Sequence, residues 1–215
     1  MDIVNSRRDI VALGTISLAG MGMALLERPR WEDAPARAAK TSRDGIPNVP
    51  LTTHTGARVR FYDDLVRDKL VVINMMYASC SNTCPPTTQN LLRVQQMLGS
   101  RIGRDIFMYS ITLRPDFDSP PELAHYAKIQ GVRDPGWLFL TGNKEDIERL
   151  RLALGFYDPD PAIDGQEARH TGMVRIGNDA FKRWGMVPGM ADPRQIVSSI
   201  LHADLKRPQA AGQGA

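Results

Sequence analysis

The stretch that most restricts the fold is KLVVINMMY, Lys69 to Tyr77, an unbroken apolar run with Val71, Val72 and Ile73 in succession. A strand with one wet face alternates apolar and polar residues, whereas a run without alternation fits a strand covered on both faces, as in the middle of a parallel sheet. IFMYSITL (Ile106 to Leu113) and WLFLTG (Trp137 to Gly142) repeat the pattern. Helical periodicity fills the intervals. One helix starts near Pro85, turns Leu91, Leu92, Val94, Gln95 and Leu98 inward and stops at Gly99. SPPELAHYAKIQG offers Ser119 as N-cap, Pro120 at the first helical position, Glu122 to complete a capping box and Gly131 after the last turn. NKEDIERLRLALG spaces Ile147, Leu150 and Leu154 helically before Gly155.

Two further patterns flank this core. VPLTTHTGARVRFYDDLV has strand-like stretches about Thr55 and Gly56, a hairpin by its chemistry. HTGMVRIGNDAFKRWGMV reads as two short strands about the turn residues Gly177 and Asn178, and Asp192 with Pro193 opens a last helix that puts Ile196, Val197, Ile200 and Leu201 on one face. Strands alternating with helices imply parallel pairing with helices on both faces, and the closing hairpin adds antiparallel strands. The expected fold is therefore α/β and thioredoxin-like, a central mixed β-sheet flanked by helices with an N-terminal β-hairpin. The 215 residues, 42% hydrophobic, suffice for one domain of ordinary size, expected over 49–207 and ordered from about Val49. Residues 39–48 read as a polar linker and 208–215 as a disordered tail.

The N-terminus bears on location. Arg7 and Arg8 precede an apolar run from Ile10 to Leu26, about 17 residues, at the short edge of what spans a bilayer. Paired arginines before a moderate apolar stretch resemble a bacterial twin-arginine export signal. Ala34-Pro35-Ala36 and Ala36-Arg37-Ala38 are small-x-small cleavage sites. Whether residues 1–38 are a cleaved signal or a retained membrane anchor, the rest of the chain is expected in the periplasm or on the outer face of the cytoplasmic membrane. The 27 basic and 24 acidic residues leave +3 without a basic run, which argues against a nucleic-acid partner. A monomer is expected.

The chain has two cysteines, Cys80 and Cys84, at the junction of the KLVVINMMY strand and the following helix. A thiol at a helix N-terminus feels about half a positive charge from the aligned peptide dipoles, which favours thiolate. Thiolate is the nucleophile of disulfide exchange and a ligand for soft metal ions. A purely structural disulfide would close so short a loop that it adds only about 2 kcal/mol by loop entropy. Ser81, Asn82 and Thr83 make the spacing one residue longer than in thioredoxin-type redox motifs, room enough to bulge around an ion without forbidding a disulfide. Two thiolates suffice for linear Cu(I); Cu(II) or a more protected Cu(I) calls for a third ligand such as imidazole. His125 and His202 fall within helices and His54 in the early turn, none of them favoured as ligands. His170 opens the closing hairpin, and in a thioredoxin-like sheet that position can reach over the cysteines; position alone leaves its role open. Met75 and Met76 belong to a buried strand, where successive side chains face opposite ways, and read as core; Trp137, Phe139 and Trp184 read as core or hairpin packing.

CSNTCP at Cys80 to Pro85, LRPDFDSP at Leu113 to Pro120 and RHTGMVRIGND at Arg169 to Asp179 together resemble the Sco/SenC proteins, named for synthesis of cytochrome c oxidase. Their pattern is an apolar strand leading to CPxxCP, then DPxRDTP, then DH(S/T) opening a hairpin. The likeness covers about Val49 to Leu205. It implies one copper ion per chain, Cu(I) or Cu(II), bound by Cys80, Cys84 and His170, and a partner that is the copper-site subunit of a respiratory oxidase or its chaperones. The chain departs from the pattern at Ser81 for proline, at Arg114 for the acid of DP, at Phe117 for the arginine of RDTP and at Arg169 for the acid before the histidine. If Arg114 and Arg169 face the thiols, they favour free thiolate and oppose a bound cation.

Three functions follow as expectations. A copper metallochaperone assisting assembly of the binuclear copper site of the oxidase requires His170. A thiol-disulfide oxidoreductase requires Cys80 and Cys84 as redox-active thiols but not the histidine. A copper or redox sensor ranks last, because the sequence offers no output domain.

Overall fold

The KLVVINMMY run is an inner strand of the sheet, with a neighbour on each side. In the computed structural model, which describes residues 45–133, 135–164 and 172–205, it forms β3 (Leu70–Met76), buried at every position. Its alternate side chains feed two cores. Leu70, Val72 and Met76 join the cluster on one face, while Val71, Ile73 and Met75 join the cluster on the other, which is why the run lacks a polar alternation.

The other strands are β1 (Pro50–Thr53), β2 (Arg58–Arg60), β4 (Ile106–Thr112), β5 (Trp137–Thr141), β6 (Met173–Asn178) and β7 (Arg183–Pro188). The helices are α1 (Cys84–Leu98), α2 (Pro120–Gln130), α3 (Lys144–Ala153), the single turn α4 (Pro161–Asp164) and α5 (Pro193–Asp204). One mixed sheet runs in the order β2-β1-β5-β4-β3-β6-β7. β3, β4 and β5 are parallel neighbours, and β1 and β6 pair antiparallel with β5 and β3. Leu91, Val94 and Leu98 of α1, Leu123 and Tyr126 of α2, and Ile196 and Ile200 of α5 cover one face. Ile147 and Leu150 of α3 cover the other with Phe61, Leu65 and Val66, which belong to a wide helical turn (Phe61–Val66). The expected thioredoxin-like α/β architecture with its N-terminal hairpin is the architecture found.

Three local expectations are corrected. Gly177 and Asn178 lie inside β6, and the hairpin turns at residues 179–182, with Lys182 at φ 53°. The glycine serves packing: a Cβ at Gly177 would lie 2.0 Å from the Trp184 ring, which lies across it from the paired strand. Ser119 precedes α2 but makes no capping bond to a backbone N–H; its hydroxyl donates to the Glu122 carboxylate instead. Ile46 and Asn48, in the stretch expected as a linker, are already buried. The segment expected as signal or anchor (1–38), most of that linker and the tail (208–215) lie outside the described residues. Among the described residues, no helix is long and apolar enough to cross a membrane.

Topology decides which loops meet. Parallel β3 and β4 end on the same edge of the sheet, so the loop after Met76 lies beside the loop after Thr112. β6 runs the other way, with Asn74 opposite Val174. Continuing that register sets residue 172 level with Met76, at the mouth of the thiol loop. Open α/β sheets place ligand sites at such strand ends.

Candidate functional site

β3 ends at Met76 and α1 begins at Cys84, with Cys80 between them. Cys80 is 7% exposed and Cys84 2% exposed, and both are thiols rather than a disulfide. Thr83 stands at the N-cap of α1 without making a side-chain cap. The Cys80 sulfur takes that place: the backbone N–H of Cys84 donates to Cys80 Sγ at 3.4 Å. A helix start leaves its first N–H groups without intrahelical acceptors, and one of them here finds sulfur.

The two thiols are therefore unequal. Burial opposes ionisation of Cys80, but hydrogen bonds from the Cys84 backbone and thiol, from the Asn82 N–H and from the Tyr77 side chain outweigh it and lower Cys80 to about 7. For Cys84 burial dominates and pushes the thiol up to about 12; the Tyr77 backbone opposes this, and Cys80 and the Asp118 carboxylate add to it. The helix start thus acts on Cys80, in the loop, rather than on Cys84, the first helical residue. Sequence position alone suggests the reverse.

Asp118, which sequence reasoning did not single out, ties the thiol loop to β4. It is 2% exposed, and its Oδ2 accepts from the Ala78 backbone N–H at 3.0 Å and from the Thr112 hydroxyl. Thr112 Oγ1 in turn accepts from the Arg114 N–H at 2.9 Å. The signal in the sequence was the conspicuous Asp-Ser-Pro in LRPDFDSP. What hid its role was that Ala78 lies 40 residues away.

The remaining candidates sort as follows. His54 is structural: its Nδ1 accepts from the Phe139 N–H at 3.2 Å, and burial lowers its pKa. His125 lies on α2 and His202 in the last turn of α5. Met75 and Met76 are 5% and 0% exposed, core on opposite faces. Arg114 is held against the loop ahead of Cys80, its Nη1 donating to Ser79 Oγ at 3.0 Å and its Cζ 4.5 Å from the Phe117 ring centroid and 5.7 Å from that of Tyr77.

His170 and Arg169 lie outside the described residues, but the chain on both sides of them is fixed. Asp164 takes Arg151 Nη1 and Nη2 at 2.6 and 2.8 Å, which holds its carboxyl at about 2. Gly172 accepts from the Gly189 N–H at 2.8 Å, and a Cβ at Gly172 would be 3.6 Å from Thr83 Cγ2, in the thiol loop. Gly172 itself sits at φ 52°, a conformation that favours glycine. Among the described residues, no group of three or more His, Cys, Asp or Glu forms a metal cage.

Comparison with known proteins agrees with this architecture. The sequence model of the SCO1/SenC family matches residues 41–203. A Stutzerimonas stutzeri protein named for copper binding is 25% identical over 126 residues, 57% of this chain and 60% of its own; the match to a second curated relative spans 45% of that protein, so the chain covers only about half the length of these relatives. Among solved structures, a SCO1/SenC family lipoprotein from Bacillus anthracis superposes with TM-score 0.61 at 20% identity, covering 74% of this chain and 95% of that one. Bradyrhizobium japonicum ScoI, solved with copper bound, superposes with TM-score 0.57 at 19% identity, covering 72% and 96%. At such identities the superpositions speak for the fold, while the sequence model spans three quarters of the chain and includes both cysteines. The chain belongs to the SCO1/SenC family.

Proposed function

We propose that this chain is an extracytoplasmic copper metallochaperone that carries one copper ion on Cys80, Cys84 and His170 and delivers it to the binuclear copper site of a cytochrome oxidase subunit. The observation that carries this reading is the meeting of the thiol loop with the start of β6. Two hydrogen-bonded sulfurs lie at the β3–α1 junction, and Gly172 rests against Thr83 between them. His170 is two residues from Gly172, and two residues span at most about 7 Å, so an imidazole there can reach the sulfurs. Two soft thiolates and a nitrogen suit copper better than a hard cation. The copper-bound ScoI and the relative named for copper binding support the same cargo. Copper is handed on by ligand exchange, each protein sulfur leaving as a partner thiolate arrives. The twin-arginine-like segment supports an exported location.

The test is metal analysis with a reduced-thiol count on protein purified anaerobically, wild type beside His170→Ala. Wild type should bind copper one to one, and the variant should lose the complex while keeping both thiols. Wild-type protein that takes up no copper under reducing conditions removes the proposal.

The inequality of the thiols favours a second reading, thiol-disulfide exchange. The Cys80 thiolate attacks one sulfur of a partner disulfide, and the other partner sulfur leaves as a thiolate. Cys84 then gives up its proton and attacks the Cys80 sulfur of the mixed disulfide, yielding a Cys80–Cys84 disulfide and the partner dithiol. This chemistry survives His170→Ala, so the same variant separates the two readings.

A further inference from the structure

Tyr77, the first residue after β3, bonds both sulfurs. Its phenol donates to the Cys80 sulfur, its backbone N–H donates to the Cys84 sulfur, and its carbonyl accepts from the Cys80 N–H at 3.2 Å. The chain on either side of it is fixed by the loop after β4. The Met76 carbonyl accepts from the Leu113 N–H at 2.8 Å, and the Ala78 N–H donates to Asp118 at 3.0 Å.

The ring is held as well as the backbone. Arg114 Cζ lies 5.7 Å from the Tyr77 ring centroid and 4.5 Å from that of Phe117. A cation over a ring face is attracted to it, and it draws electron density from the phenol, which makes the O–H a stronger donor. Of the other donors at the Cys80 sulfur, the N–H groups of Asn82 and Cys84 come with the loop and the helix start whatever side chains stand there. The phenol is a choice of residue, since phenylalanine at 77 would keep the ring and omit the donor. A hydrogen bond to thiolate is charge-assisted, whereas a disulfide sulfur carries no charge, so this donor favours the reduced pair.

We propose that Tyr77 is a positioning residue for the sulfur pair: it holds Cys80 and Cys84 in the open dithiol form that can take a soft metal ion or meet a partner, and it resists their closure into a disulfide. Groups that bond to ligating atoms orient them and tune what they bind. Here one residue does so for two sulfurs, with its phenol on one and its peptide N–H on the other.

The inference rests on the reading that the two thiols act together on copper or on a partner, and its test uses metal-free protein, so the two fail separately. The full chain is equilibrated with glutathione buffers, in which the reduced pair and glutathione disulfide give the Cys80–Cys84 disulfide and two glutathione thiols. Y77F removes the hydroxyl and keeps the ring. It should move this equilibrium about tenfold towards the protein disulfide, which lowers the potential by about 30 mV for the two-electron couple. The urea midpoint of the oxidised variant should stay that of wild type, because the hydroxyl has no thiolate to bond there. A shift under about twofold, or an equal loss of stability in both redox states, means that Tyr77 acts by packing alone and overturns the proposal. Wild type gives an independent reading should Y77F fail to fold. Its reduced-minus-oxidised ultraviolet spectrum should carry a tyrosine band shift as the phenol loses its acceptor, and a spectrum without one equally overturns the proposal.

Discussion

Replacing Asp118 by alanine removes the acceptor that joins the thiol loop to β4. Two donors lose their partner: the Ala78 N–H, 3.0 Å from Oδ2, and the hydroxyl of Thr112, a residue with no exposed surface. Hydrogen bonds to a charged acceptor contribute roughly 1.5–3 kcal/mol each, so the pair sets an upper figure of about 6 kcal/mol. Two effects reduce it. Ala78 is only half-buried and its N–H can turn to water, and the variant no longer desolvates a carboxylate. A net loss of about 3 kcal/mol is expected. Asp118→Asn keeps one acceptor oxygen and should lose about half as much. Urea unfolding of the reduced protein at pH 7 measures both. Because the same contact holds the segment before Cys80, native-state alkylation of Cys84 should also quicken in the alanine variant. A loss under about 1 kcal/mol with Cys84 still protected would refute the idea that Asp118 anchors this loop.

Two further outcomes are expected. Iodoacetamide labelling of the metal-free, reduced chain should rise with pH through about 7 at Cys80, because its thiolate forms there, while Cys84 stays unlabelled throughout the neutral range; peptide mass spectrometry reads each site, and two cysteines titrating together near the ordinary thiol value would contradict the asymmetry. Gly189→Ala would place a Cβ 2.8 Å from the Gly172 carbonyl oxygen and 2.8 Å from Thr87 Cγ2. Since one of these is backbone, the start of β6 must shift, costing about 1–3 kcal/mol and weakening copper binding through His170; melting and Cu(I) competition titrations that both match wild type would count against the proposed approach of that histidine.

Much of the fold was legible because its causes are local. The unbroken apolar runs marked the inner strands, and Gly99, Gly131 and Asp192 marked helix ends, since period and turn chemistry act within a few residues. Asp192 indeed caps α5 by accepting from the Arg194 N–H at 2.7 Å. Gly177 misled for a corresponding reason: a Gly-Asn pair is a turn signal in isolation, but a glycine is equally required where a tryptophan ring lies on the backbone. Only the pairing of Gly177 with Trp184 distinguishes the two.

The same division runs through the site. The sequence alone determined that two thiols stand four residues apart where a buried strand hands over to a helix, and that the chain resembles the family to which it belongs, because both follow from residue type and spacing. The tertiary structure decided which thiol ionises, since burial of Cys84 and the N–H groups aimed at Cys80 depend on how the loop closes over α1. It also decided what Arg114 does: the side chain turns to Ser79, Tyr77 and Phe117, joining two loops that parallel β3 and β4 bring to one edge of the sheet. Such contacts link residues tens of positions apart, and no local pattern encodes them.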